Sequence, residues 1–153
     1  MSNLVRRKRK FKMWAIIIFI IFGVITLLIL GGVLFSAPGR REIQQLTIDA
    51  LDFKKLRNGT YVGQFTGTKD HFRDTKVQVT IRGGQISDIQ ILKGAIDKQG
   101  NPLELKRGQS IADLFGHVIQ SQSLQVDVIS GATLTSKAHL KALENALKQA
   151  QTE

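Results

Sequence analysis

Three kinds of hydrophobic pattern follow one another along the chain. From Met13 to Phe35, 23 residues carry no charge and are dominated by Ile, Leu, Phe and Val. At about 1.5 Å per helical residue this stretch is roughly 34 Å long, against a hydrocarbon core of about 30 Å, which predicts a membrane-spanning helix. A signal-peptide apolar region is usually only about 7–15 residues. The best cleavage position, after Ala37, would put Phe35 where a small residue is wanted. Residues 13–35 are therefore read as an uncleaved anchor behind a tail at 1–12. Pro38 and Gly39 in Ser36–Arg41 (SAPGRR) are expected to end its helix. Residues 42–57 set Ile43, Leu46, Ala50, Leu51, Phe53 and Leu56 at roughly helical spacing, so 36–57 reads as a juxtamembrane linker with a short helix or stalk.

The period then drops to two. Thr60–Phe65 (TYVGQF) is strand-like, and Thr75–Arg82 (TKVQVTIR) alternates with Val77, Val79 and Ile81 on one face. Gly83-Gly84 is a two-residue hairpin turn, since glycine tolerates the positive φ such turns need, and Gln85–Leu92 is the return strand. Gly94–Gln109 reads as a loop with a turn at Gly100-Asn101-Pro102. Helical spacing returns at Ser110–Ser121, through Ile111, Leu114, Phe115, Val118 and Ile119. Leu124–Ile129 reads as a short strand. From Ser136 onward Leu140, Leu143, Leu147 and Ala150 form one stripe, with Thr135 or Ser136 as N-cap. The predicted class is α+β: a small antiparallel sheet with packed helices over 58–153, preceded by one N-terminal transmembrane helix.

The distribution of charge changes the picture more than its total. The net charge is +10, but residues 1–41 hold eight Lys/Arg and no acid, whereas 42–153 hold fourteen Lys/Arg against twelve Asp/Glu. The high pI thus belongs to the tail, and a basic nucleic-acid-binding domain is excluded as a reading. A run such as RRKRKFK at 6–12 abutting a span is a topology signal or a contact with anionic lipid. Six Lys/Arg precede the span, with Arg40 and Arg41 after it. The positive-inside rule then places the N-terminus in the cytoplasm and the domain outside a cell membrane crossed once. Trp14 falls at the cytoplasmic interface. The chain has no cysteine, which excludes disulfides, thiolate zinc, iron–sulfur ligation, a cysteine nucleophile and a lipoprotein cysteine. Three scattered histidines, His71, His117 and His139, make no metal pattern and read as ordinary residues.

The segment with chemical content is Asp127–Ser136, DVISGATLTS. It reads as a strand end, a small-residue turn and a helix start. Gly131 and Ala132 permit close backbone approach, while Ser130, Thr133, Thr135 and Ser136 supply hydroxyls. Helix-start N–H groups and the positive end of the dipole complete an anion or phosphate site, to which Lys137 adds charge. Ser/Thr clusters before helices also serve as plain caps, and the pattern alone leaves both readings open.

The string SGATLTS, with Asp127 three residues before Ser130, resembles the attachment motif of the FMN-binding domain family, approximately Asp-x-x-(Ser/Thr)-Gly-Ala-Thr. That family includes the flavin-carrying C subunit of the sodium-pumping NADH:quinone oxidoreductase, the G subunit of Rnf complexes and small membrane-anchored flavoproteins. The match runs through Asp127, Ser130, Gly131, Ala132 and Thr133. NGTYVGQFTG at 58–67, the hairpin KVQVTIRGGQISDIQIL and IQSQSLQVD before the motif resemble the family as well, over about residues 58–150.

The resemblance implies FMN esterified through its phosphate to Thr133, by a flavin transferase that uses FAD and a divalent metal. Asp127, Ser130, Gly131, Ala132, Leu134, Thr135 and Ser136 would surround the cofactor, and Asp127 would be read by the transferase. It implies an electron carrier without a catalytic residue of its own, placed between a membrane electron donor and an outer electron acceptor. The alternatives are a non-covalent FMN-binding module, a flavin-free accessory or sensor protein and an FMN-dependent reductase. Two family elements differ here: HFRD stands where the family often has Tyr-x-Gly, and Lys93-Gly94-Ala95-Ile96-Asp97 where it often has His-x-Glu-Thr. Candidates to stack on the ring are Tyr61, Phe65, Phe72 and Phe115.

Overall fold

The computed structural model describes residues 2–151; residues 1, 152 and 153 and the side chains of the basic run at 6–12 lie outside the described residues. The chain divides into two compact units, Met1–Pro38 and Gly39–Glu153. The first is helical, the greater part of α1 (Ser2–Gln44). Within α1, Ile16–Gln44 is long and apolar enough to cross a membrane, with a mean hydropathy of 3.1 in its best window. Its large side chains from Ile16 to Leu30 stand exposed all round. The Thr26 hydroxyl donates to the Phe22 carbonyl at 2.8 Å, which satisfies it inside the helix. The expected break at Pro38 does not occur, and α1 continues to Gln44. Proline removes a single N–H from the helical ladder, and the helix resumes through Arg40, Arg41 and Glu42.

The second unit is α+β. Strands β1 (Gly59–Phe65), β2 (Thr75–Arg82) and β3 (Gln85–Lys93) form an antiparallel sheet in the order β1-β2-β3. The predicted hairpin is present, with Gly83 and Gly84 at φ +61° and +74°. Val77, Val79 and Ile81 point to one face and are fully buried. Helices α2 (Ile111–Ser121) and α3 (Thr133–Ala150) pack against the sheet. Leu140, Leu143, Leu147 and Ala150 are buried, as their stripe predicts. A side chain at Gly63 would strike the α3 backbone at Ala142 and Ala146, so the strand and the small-residue face of the helix approach backbone to backbone. Asn145 and Gln149 of α3 donate to the Gln64 and Val62 carbonyls, both at 2.9 Å, and so cover the open edge of β1.

Four expectations are corrected. The helix or stalk at 42–57 ends at Gln44, and the chain then runs irregularly to a 3-10 turn at Phe53–Lys55. Leu46, Ile48, Leu51 and Phe53 pack on the core instead of forming a stripe. Side chains of α3 hold this segment: Lys137 donates to the Gln44 and Leu46 carbonyls, Lys141 to Thr47, and the buried Glu144 carboxylate accepts from the Asp49 N–H. The loop expected at 94–109 contains a small hairpin, β4 (Glu104–Lys106) and β5 (Gln109–Ser110), turned by Arg107 and Gly108 at positive φ. Leu124–Ile129 alternates in burial but pairs with no strand. Finally, α3 starts at Thr133, three residues earlier than read, and its N-cap is Ala132 with no side-chain cap.

Candidate functional site

The turn Ile129–Ala132 is fixed from both sides. The Ala132 N–H donates to the Ile129 carbonyl at 2.9 Å, and Gly131 sits at φ +82°, a conformation that strains any residue with a Cβ. Ser136 is fully buried one helical turn on. Its hydroxyl accepts from the Ile129 N–H at 3.2 Å and donates to the Ala132 carbonyl at 3.1 Å. Ser136 therefore locks the turn and points away from solvent, and neither it nor Thr135 is the cap that the sequence suggests. Leu134 and Ala132 pack partly against the core.

What remains open to solvent is the start of α3. Thr133 is its first residue and is exposed, as are Ser130 and Gly131, while Thr135 is half-buried. With no side-chain cap, the N–H groups of the first turn are left for another acceptor. Lys137 does not serve here, because its ammonium is engaged with the Gln44 and Leu46 carbonyls. The cation beside the turn is Lys106, whose aliphatic stem lies 3.4–3.5 Å from where a Gly131 Cβ would stand. Sequence reading missed it, because its hairpin was taken for a loop; the Arg107-Gly108 pair was the available signal.

Two cavities involve the motif, one through Asp127–Ile129 and one through Thr135. One, of about 370 Å³, has Ala95, Leu105 and Ala138 among its walls, with Thr135 and His139 beside them and Phe72, Arg73 and Lys93 also lining it. The other, of about 690 Å³, runs along Asp127–Ile129 and the side of α2 bearing Asp113 and His117. Asp127 thus faces the second cavity. Of the four ring-stacking candidates, Phe115 and Phe65 are core residues at 2% and 8% exposure, and Tyr61 is half-buried with its hydroxyl on the Arg57 carbonyl at 3.2 Å. Phe72 alone among them is free, 73% exposed, in the lining of the smaller cavity.

Ionisable groups fix the walls of that cavity. Burial pulls the His139 pKa below its ordinary value, only partly offset by its bond to Thr135. Its Nδ1 contacts the Thr135 carbonyl at 2.8 Å and its Nε2 accepts the Ala95 N–H at 3.3 Å, which assigns the neutral tautomer with the proton on Nδ1. Asp74 is raised by burial but more strongly lowered by the Gly67 N–H, His71 and Lys93, so its carboxyl titrates below the usual range. The Glu42 carboxylate accepts the Thr68 N–H at 2.9 Å and the Lys69 N–H at 3.1 Å, tying down the loop that carries Phe72.

These residues fit a phosphate-bearing, planar ligand. An exposed hydroxyl, free helix-start N–H groups and a lysine suit the phosphate, and a partly apolar cavity of ligand-pocket size lies within two residues of that hydroxyl. No curated protein matches the chain. The profile of the FMN-binding domain family matches residues 72–148, half of the 153-residue chain. It begins at Phe72 and spans the hairpin, α2, the Asp127–Thr133 motif and nearly all of α3. The chain belongs to the FMN-binding domain family, and its cofactor is FMN.

Proposed function

We propose that this protein is a membrane-anchored, extracytoplasmic electron carrier with FMN joined through its phosphate to the Thr133 hydroxyl. The observation that carries the reading is the exposed Thr133 at the first position of an uncapped helix, on a turn locked by Ser136. The N–H groups at the start of α3 and the Lys106 ammonium hold the phosphate. The ring lies in the smaller cavity, between its apolar wall and Phe72, since the larger one is lined mostly by polar side chains. Bound FMN supplies reversible one- or two-electron redox chemistry. The chain's own residues anchor, orient and partly shield it, and none is placed as an acid or base. A covalent link suits a domain outside the cell, where a dissociable cofactor would be lost by dilution. Asp127, facing away from the ring cavity, suits recognition by the transferase. The apolar stretch of α1 is the anchor, and the basic tail keeps the N-terminus inside. A membrane donor and an outer acceptor complete the path.

The test is in-gel flavin fluorescence of denatured protein, exported together with a flavin transferase. The wild type and Thr135→Ala are expected to give a fluorescent band and Thr133→Ala a dark one. Fluorescence retained by Thr133→Ala overturns the attachment site. A dark band from folded wild-type protein that still binds FMN moves the reading to the non-covalent module.

A further inference from the structure

We propose that the mouth of the smaller cavity is a docking point for small anionic electron acceptors, steered by Arg73 and Lys93. The inference rests on the reading that the flavin ring occupies this cavity.

The cavity lining contains Arg73, Lys93 and a single carboxylate, Asp74. The Asp74 side chain is only 12% exposed and already engaged: it accepts the Gly67 N–H at 3.0 Å, meets His71 Nδ1 at 3.2 Å and stands 3.7 Å from Lys93. Its charge is enclosed in the wall, while Lys93 keeps 64% of its side chain in solvent. Arg73 has no carboxylate partner among the described residues.

This is a local concentration of charge. Residues 42–153 carry fourteen basic against twelve acidic groups. The larger cavity, which has no lining residue in common with this one, is lined by Asp113 and Asp127 and by no Lys or Arg. Cations gathered at one opening of a nearly neutral domain raise the local concentration of anions there and repel cations. Phe72 stands exposed among this lining, so an anion drawn to the mouth arrives beside the ring edge. Transfer to a one-electron acceptor moves one electron outward per encounter. A two-electron-reduced flavin therefore serves two acceptor molecules, and the protons it loses pass to water.

The experiment reads the charge at the ring directly, by collisional quenching of flavin fluorescence in the full-length flavinylated protein. Iodide and thallous ion serve as probes of opposite sign, at low and at high ionic strength. Iodide is expected to quench more strongly than thallous ion at low salt, and the excess to shrink at high salt. Arg73→Gln and Lys93→Gln should each lower the iodide constant about twofold at low salt. Arg82→Gln, the same loss of charge at the far end of β2, should leave it unchanged. Ferricyanide reoxidation rates of the reduced protein should follow the same order. Protein that is fluorescent on a denaturing gel but shows no preference for iodide, or loses it equally in Arg82→Gln, keeps the flavin reading and overturns the anion mouth. A protein dark on the gel and free of flavin overturns both.

Discussion

The two cavities near the motif have no lining residue in common and differ in chemistry. The larger is polar and acidic, built on α2 and on the irregular run before the motif. The smaller has an apolar wall, a buried neutral histidine, an exposed aromatic and a basic rim. Volume alone favours the first as a ligand site; chemistry favours the second. A flat aromatic ligand gains by covering apolar surface, and in the larger cavity Leu114, Val126, Val128 and Ile129 are outnumbered by polar side chains. Asp127 lines the larger cavity and Thr135, in the first turn of α3, lines the smaller.

The largest effect should come from the aromatics, and it separates the ring cavity from the core behind it. Phe115 is buried and its ring centroid lies 6.3 Å from that of His139, which lines the cavity. Phe115→Ala should cost about 3–5 kcal/mol of domain stability in urea unfolding. Phe72→Ala, at the rim, should cost under about 0.5 kcal/mol. Yet Phe72→Ala should change the flavin more, by raising ring mobility in fluorescence anisotropy of the flavinylated protein. Unaltered anisotropy would remove Phe72 from the ring site.

How much of this was legible in the sequence depended on how local the cause was. The hairpin at Thr75–Lys93 and the stripe on α3 follow from period and turn chemistry, and both are present. The family was legible from the SGATLTS string and its surroundings, and its profile matches residues 72–148. The start of α3 was not: Ser136 looked like a cap because caps are usually Ser or Thr, but its partner is the Ile129 N–H on the preceding turn. Leu46, Leu51 and Phe53 were misread because the segment that carries them is held by Lys137, Lys141 and Glu144, some ninety residues away in sequence. Lys106 was missed for the same reason. Its relevance arises only when a two-strand hairpin brings it over Gly131.

The turn itself should show a smaller, more specific effect. Ser136→Ala removes both bonds that lock it and leaves the buried Ile129 N–H without an acceptor, at about 1–3 kcal/mol. Flavin attachment by the transferase should slow, while Thr135→Ala should attach at the wild-type rate. If Ser136→Ala is flavinylated as fast as wild type, a pre-formed turn is not what the transferase requires.

The smallest effect is a pH dependence confined to one side of the turn. Because burial lowers the His139 pKa, the unfolded chain binds the extra proton first as pH falls below the unfolded value of about 6.5. Stability from this residue is therefore full above that value and is lost as pH drops from there toward the folded pKa, at no more than about 1.4 kcal/mol per pH unit. The lowered carboxylate of Asp74 also loses stability on acidification, but only below its unfolded value near 3.8, so the two windows separate. Unfolding free energies measured at pH 7.5, 6.5 and 5.5 should decline in the wild type and stay flatter in His139→Gln. Protonation also takes Nε2 away from the Ala95 N–H, so that amide should lose hydrogen-exchange protection in the same window. The Asp113 amide, bonded to the Ser110 hydroxyl at the larger cavity, should keep its own. Equal loss at both amides would mean that acid loosens the whole domain, and that the two cavities do not respond independently.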